Sequence, residues 1–178
     1  MRHAAVLALL VVTATSSGRA QSAPANPMAR SLQRSFASVA SYIVRSAEQL
    51  PEDKYSYRAT PDTRTFADEI AHVVDAHYMF CSRARNEANP IAQNLEGGTH
   101  TKAVLVSKLK ESVAYCETAY GSATDATLAE PFQVGQARGV KVAPMANNIA
   151  HDNEHYGKIV TLLRLNGLVP PSSQPRGS

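Results

Sequence analysis

Apolar residues recur every three or four positions in four segments of the chain, and this spacing predicts four amphipathic helices. The predicted helices cover residues 29–50, 66–85, 102–122 and 144–165. Thr65, three residues before Asp68, predicts that the second helix begins with a capping box in which Asp replaces Glu. The sequence shows neither strand-like alternation nor an internal repeat. The pattern therefore predicts an all-α fold, and the number of helices indicates a four-helix bundle.

Two connections between the predicted helices are long. Residues 86–100 contain Pro90 and the pair Gly97-Gly98, and a loop of this length reaches about 45 Å when it is extended. A twenty-residue helix is about 30 Å long, so this loop is long enough for a crossover between helices 2 and 3 that spans the whole bundle. Residues 123–143 form the second connection, in which we predict a short helical turn near residues 125–130. Loops of such length are commonly functional or mobile.

The first twenty residues are typical of a secretory signal. Arg2 and His3 form a short positive region, residues 4–12 are apolar, and small residues precede a cleavage point near Ala20. The apolar run is too short for a stable membrane anchor, and no other apolar run in the sequence is long enough for a transmembrane helix. We therefore expect export to the periplasm or the extracellular space. The predicted organisation is a signal peptide at 1–20, a linker at 21–28, the helical domain at 29–171 and a polar tail at 172–178.

The charge of the chain says little about its partners. The 178 residues include 18 Lys and Arg and 15 Asp and Glu, and the formal net charge is +3. Loss of Arg2 and Arg19 with the signal would lower it to +1. The basic residues do not cluster as they do on a nucleic-acid-binding surface, so nucleic acid is not an expected partner.

Cys81 and Cys116 are the two cysteines of the chain. In an oxidising compartment, an even number of cysteines permits one disulfide. The alternative is a pair of buried, reduced cysteines that pack as small apolar side chains. The sequence favours neither interpretation over the other.

The candidate chemistry lies in the last predicted helix, where His151 and His155 are four residues apart. This spacing places both imidazoles on one face of a helix, where they can bind a single divalent ion. An open site needs a third ligand, and helix 2 offers His72 and His77. His77 lies at the centre of the apolar stripe and is most simply a core residue, whereas His72 lies on its flank and is favoured by geometry. His100, in the loop beside Gly98, is most simply a solvated residue.

Residues 151–155 also match the H-x-x-E-H pattern of inverted zinc peptidases. Those enzymes take a further acidic ligand downstream of the motif. In this chain no Asp or Glu follows Glu154. The context of the motif therefore fails, and we reject the peptidase interpretation.

Three short motifs occur in order along the chain: TFADEIAH at 65–72, HDNEHYG at 151–157 and LRLNGLVPP at 163–171. They resemble the second-helix motif, the last-helix H-x-x-x-H motif and the C-terminal end of a branch of the DinB-like superfamily of metal-binding four-helix bundles. The resemblance covers residues 29–171. It implies a long crossover between helices 2 and 3 and a divalent metal, most often zinc or nickel, held by three histidines. By position these ligands are His72, His151 and His155.

The chemistry of a three-histidine site leaves two classes of function open. One is a metal-dependent hydrolase or transferase acting on an unknown small molecule, with Glu154, Asp152 or Asp75 as general base or as the partner that orients a ligand imidazole. The other is a non-catalytic metal-binding or structural bundle, and a homodimer is compatible with either. Members of this superfamily include transferases and isomerases that use cytoplasmic thiols. The predicted export signal is a departure that argues against thiol-dependent chemistry in this chain.

Overall fold

The computed structural model describes residues 25–175, so the predicted signal peptide and the first half of the predicted linker lie outside the described part of the chain. The helices are α1 (Pro27–Gln49), α2 (Phe66–Arg85), α3 (Lys102–Ser122) and α4 (Val142–Leu165), and the strands are β1 (Pro131–Val134) and β2 (Ala137–Val140). Short 3-10 turns occupy Glu52–Lys54, Thr127–Ala129 and Pro171–Ser173. The predicted all-α four-helix bundle is confirmed, and none of the described helices is long and apolar enough to cross a membrane.

Helix α2, which carries part of the candidate site, has well-defined ends. The Thr65 hydroxyl accepts a hydrogen bond from the Asp68 amide, and the Asp68 carboxylate accepts one from the Thr65 amide, which completes the predicted capping box. Asn86 ends the helix in the left-handed conformation, with φ of 57°. These two caps fix which residues of α2 are helical, and hence which of its side chains face α4.

Side-chain contacts show how the helices are ordered around the bundle. Helix α2 packs between α3 and α4, and α1 packs against the other side of both. His77 and Arg85 of α2 are hydrogen-bonded to Ser112 and Thr118 of α3 respectively, so residue numbers rise together along this pair. The contacts are those of parallel helices, the arrangement that a long crossover between them would produce. Against α4 the order is reversed, because Glu69 contacts His155 whereas Cys81 contacts Asn148.

The core of the bundle is divided into two apolar clusters. One lies towards the beginning of α2 and includes Phe66, Ile70 and Ile159. The other lies towards the end of α2 and includes Phe36 and Tyr120, whose rings are stacked with centroids 4.5 Å apart. The candidate site lies on the α2–α4 seam and is therefore held by two helices that are each packed on a core.

The β-hairpin was not predicted from the sequence. Its strands pair antiparallel from Pro131 opposite Val140 to Val134 opposite Ala137, and Gly135 makes the turn with φ of 58°. Each strand has four residues, too few for a recognisable alternation of polar and apolar positions. The Gln133 amide donates to Asn86 at the end of α2, which is a contact that appears only after folding. The 3-10 turn at Thr127–Ala129 lies within the predicted helical turn, and α4 begins two residues before the predicted start.

Candidate metal site

Three imidazoles converge on the α2–α4 seam. His72 comes from α2, and His151 and His155 come from successive turns of α4. Each ring offers one nitrogen, and these nitrogens all lie within 4.8 Å of one another. The Nε2 atoms of His72 and His151 are 3.0 Å apart. The structure therefore brings together the three histidines that the family resemblance implies.

Two of the three rings are oriented by carboxylates. His155 Nδ1 donates to Glu69 Oε2 at 2.6 Å, and His72 Nδ1 donates to Glu96 Oε2 at 2.6 Å. We assign the protons to Nδ1 because an ionised carboxylate can only accept. The Nε2 lone pairs of both rings are then directed away from the carboxylates and are available for a cation. This carboxylate–imidazole pairing is the usual support of metal-bound histidines.

His151 lacks such a partner. Its Nδ1 atom is buried and is not hydrogen-bonded to any described residue. The ring of Phe80 lies edge-on to it, with centroids 5.6 Å apart. Burial, together with the charges of the two neighbouring histidines, lowers the pKa of His151 to about 4. The imidazole is therefore neutral near pH 7, which is the form that binds metal.

The geometry fits a divalent ion. In a tetrahedral zinc site with Zn–N bonds of 2.0–2.1 Å, the ligand nitrogens are about 3.3 Å apart. The separation of 3.0 Å between His72 Nε2 and His151 Nε2 is close to that value. Three neutral nitrogen ligands suit zinc or nickel and leave coordination positions for water or substrate.

Glu96 connects the histidines to their surroundings. Its second oxygen, Oε1, accepts a hydrogen bond from Arg64 Nε at 2.5 Å. Burial opposes the charge on Glu96, but the hydrogen bonds from Arg64 and His72 outweigh it and lower the pKa of this carboxyl. Glu96 is therefore ionised at neutral pH and places a negative charge beside His72.

An open groove of about 570 Å³ adjoins the site. Its wall includes Arg64, Glu69 and Glu96 near the histidines, and Lys158 and Leu162 of α4 farther along. The groove combines cationic and apolar surface in a volume that suits a small molecule. It touches the carboxylates that orient the His72 and His155 rings, whereas the three histidines are not part of its wall.

The three acids proposed from the sequence have other partners. Glu154 is exposed and pairs with Lys158 at 2.8 Å, and Asp152 is buried against His77 at 3.1 Å. Asp75 is buried and accepts backbone amides of the loop after α2. Of the described hydrogen bonds, none joins these acids to the three converging histidines. The assignment of one of them as the direct partner of a ligand imidazole is therefore corrected to Glu69 and Glu96.

Sequence reasoning missed Glu69 and Glu96 for different reasons. Glu69 lies in the first turn of α2, where an acidic residue is already expected from the helix dipole. Its position one turn before His72 was the available signal, since that spacing places both side chains on one face. Glu96 lies in a glycine-containing loop, and the sequence carries no signal for its path.

The other two histidines of residues 25–175 are not part of the cluster. His77 is fully buried, with Nδ1 hydrogen-bonded to Ser112 Oγ at 3.0 Å and Nε2 to Asp152, and it is a core residue as the sequence indicated. His100 was expected to be solvated, but its Nε2 donates to the Leu95 carbonyl at 3.0 Å. That hydrogen bond makes His100 part of the loop that carries Glu96.

Cys81 of α2 and Cys116 of α3 form a disulfide, with Cα atoms 5.3 Å apart. Of the two alternatives left open by the sequence, the structure has the bonded form. The bridge lies in the second core cluster, about two and a half turns along α2 from His72. The covalent link joins α2 to α3, and the Asn148 amide of α4 contacts Cys81 Sγ.

Comparisons with known proteins agree with this architecture. The sequence profile of the DinB superfamily matches residues 35–159. A DinB-like protein from Bacillus cereus superposes with a TM-score of 0.68 at 16% identity, covering 80% of this chain and 95% of its own. One from Bacillus subtilis gives 0.66 at 18% identity, covering 82% and 99%. The mycothiol-dependent maleylpyruvate isomerase gives 0.61 at 14% identity, covering 74% of this chain and 60% of its own. No curated protein sequence matches significantly.

Proposed function

This chain belongs to the DinB superfamily, and from that premise we propose that it is a metal-dependent hydrolase or transferase whose ion is held by His72, His151 and His155. The observation that carries the proposal is the convergence of three ring nitrogens within 4.8 Å, with two of the rings oriented by carboxylates. A bundle core does not require such an arrangement, because burying the polar atoms of three imidazoles at a seam is less favourable than apolar packing.

A divalent ion bound there supplies Lewis acidity, which polarises a substrate carbonyl and makes water more acidic. The protein's own residues supply the rest. Glu69 and Glu96 fix the ligand rings, and Arg64 places a permanent positive charge on the groove wall, where it favours a substrate with an anionic group. Glu96 lines the groove, but both of its oxygens already accept hydrogen bonds and its pKa is lowered, so its role is to orient His72 rather than to take up a proton.

Metal analysis of the mature chain tests the proposal. We expect one divalent ion per chain, and we expect His151→Ala to lose it. His151 is the best position for the substitution because its Nδ1 has no protein partner that truncation would leave unpaired. Equal metal content in the two proteins would refute the site. A screen against esters, amides and thiol adducts, run on both proteins, then tests for metal-dependent turnover.

We also propose that the protein is exported, since residues 1–20 are typical of a secretory signal and a Cys81–Cys116 disulfide suits an oxidising compartment. The mycothiol-dependent isomerase shares the fold, but an exported protein would not meet cytoplasmic thiols, so hydrolysis is the favoured chemistry. Mass spectrometry of the protein from fractionated cells tests this, with a mature N-terminus at Gln21 expected. An intact Met1 in the cytoplasmic fraction would exclude export.

A second function, a non-catalytic metal-binding bundle, is favoured by one observation. The groove wall contains Glu69 and Glu96 but none of the three histidines, so the groove reaches the carboxylates that orient two of the rings and not the rings themselves. Metal content without turnover in the screen, together with a rise in thermal stability on metal binding, would establish this function in place of the first.

A further inference from the structure

Asp75 has an unusual environment for a carboxylate. It is buried on α2, and its two oxygens accept the backbone amides of Leu95 and Glu96, each at 2.9 Å. A buried carboxylate is costly unless such hydrogen bonds compensate it. Asp75 therefore binds the backbone of a loop that is twenty residues away in sequence.

The bound segment is a tight turn at residues 95–98. The Gly98 amide donates to the Leu95 carbonyl at 3.1 Å, and Gly97 has φ of 84°, a conformation that favours glycine. His100 Nε2 donates to the same carbonyl, and a Cβ at residue 98 would lie 2.5 Å from that nitrogen. Asp75 and His100 thus both bind the turn through hydrogen bonds to its backbone.

The turn delivers Glu96 to the candidate metal site. Once the backbone of residue 96 is fixed by Asp75, the side chain extends between Arg64 and His72 and orients the His72 ring. A continuous series of hydrogen bonds therefore runs from Asp75 through the Glu96 backbone and carboxylate to a ring that converges on the site.

We propose that Asp75 is a positioning residue for the metal site, and that the turn at residues 95–98 is coupled to metal binding. This inference rests on the proposed function, because it requires that His72 binds an ion. If the ordered turn raises metal affinity, then by linkage the metal stabilises the ordered turn to the same extent. Because Glu96 also lines the groove, metal binding then shapes the wall against which a substrate would lie.

The test uses Asp75→Asn, which keeps the size of the side chain but replaces one acceptor oxygen by a donor that cannot accept from a backbone amide. Loss of an outer partner of a metal ligand typically lowers affinity about 10- to 100-fold, and we expect about 10-fold here because Asp75 acts through Glu96. Zinc affinity is measured by chelator competition, and amide hydrogen exchange is followed at residues 94–98 with and without zinc. Asp53→Asn, at an exposed aspartate on the turn after α1, is the matched control.

In the unsubstituted protein and in Asp53→Asn, zinc should slow exchange at residues 94–98. In Asp75→Asn, zinc should bind about tenfold more weakly, because an outer partner of a metal ligand is lost. Zinc should also slow amide exchange at residues 94–98 less than it does in the unsubstituted protein. Unchanged zinc affinity in Asp75→Asn, or exchange at the turn that does not respond to zinc in the unsubstituted protein, would overturn the inference. If Asp75 had a purely structural role, Asp75→Asn would bind zinc with unchanged affinity, but the metal-free protein would be less stable.

Two further outcomes keep the inference separate from the proposed function. If the unsubstituted protein binds no zinc, the metal site itself fails. If Asp75→Asn does not fold, as judged by circular dichroism, Glu96→Gln replaces it, since this side chain is about one third exposed and its loss of charge is tolerable. Weaker zinc binding by Glu96→Gln supports the relay, and affinity equal to that of the unsubstituted protein overturns it.

Discussion

Replacement of Glu69 by Gln gives the sharpest test of how the site is built. The Glu69 carboxylate and the His155 imidazole are both about 5% exposed and share a hydrogen bond of 2.6 Å. Gln has the same length, and its amide oxygen can still accept from His155 Nδ1. The substitution therefore removes the negative charge while it preserves the orientation of the ring.

The expected effect on metal binding is large. A charged partner makes a metal-bound imidazole more basic, and its loss typically lowers metal affinity about 10- to 100-fold, which corresponds to about 1.4–2.7 kcal/mol. The metal-free protein should lose about 1 kcal/mol of unfolding free energy, the difference between a charge-assisted and a neutral hydrogen bond. Metal binding should thus suffer more than folding.

The assay is competition with a chelator of known zinc affinity, combined with urea unfolding of the metal-free protein. Glu154→Gln is the matched control, because Glu154 is adjacent to His155 in sequence but its side chain is exposed and pairs with Lys158. Zinc affinity of Glu69→Gln within twofold of the unsubstituted protein would refute the orienting role of Glu69. An equal loss in Glu154→Gln would show that the effect arises from general electrostatics.

Three further perturbations test other parts of the structure. In the metal-free protein the pKa of His151 is lowered from its ordinary value of 6.5 to about 4 by burial and the neighbouring histidines. Between these two pKa values the unfolded chain is protonated at His151 and the folded chain is not. The unfolding free energy should therefore fall as the pH is lowered from about 6.5 to about 4. The fall should be smaller in His151→Gln. Replacing Cys81 and Cys116 by Ser should cost about 4 kcal/mol in urea unfolding, because the disulfide closes a 35-residue loop, and should leave metal content unchanged. His77→Leu leaves the buried Asp152 carboxylate without its imidazole partner and should cost about 3–5 kcal/mol, while metal analysis still finds one ion per chain.

The parts of the fold that were predictable from the sequence are those set by local interactions. The ends of α2 coincide with the prediction because its capping box and its Asn86 terminator are local signals. The β-hairpin was missed because its strands are short and one of its anchors is the contact between Gln133 and Asn86, 47 residues apart. Short strands that depend on tertiary contacts leave little trace in the pattern of hydrophobicity.

The same division applies to the site. The spacing of His151 and His155 is a local property of one helix, and the sequence was sufficient to pair them. Their carboxylate partners depend on long-range packing, since Glu69 meets His155 across 86 residues and Glu96 meets His72 by the path of a loop. Glu154, next to His155 in sequence, was a natural candidate but points to solvent, and Asp152, next to His151, turns inward to His77.

The contrast between His72 and His77 shows why a candidate ligand could be distinguished from a core residue on one helix. Five residues correspond to about 500° of rotation, so the two side chains leave α2 about 140° apart. One therefore faces the seam with α4, and the other faces the interior, where it meets Ser112 and Asp152. The same holds for two adjacent residues of α4, since Asp152 is rotated about 100° from His151 around the helix axis. Asp152 therefore faces the interior, whereas His151 faces the seam. The position of a histidine relative to the apolar stripe thus distinguishes a core residue from a candidate metal ligand. A residue at the centre of the stripe is buried on all sides, whereas a residue on its flank borders the seam.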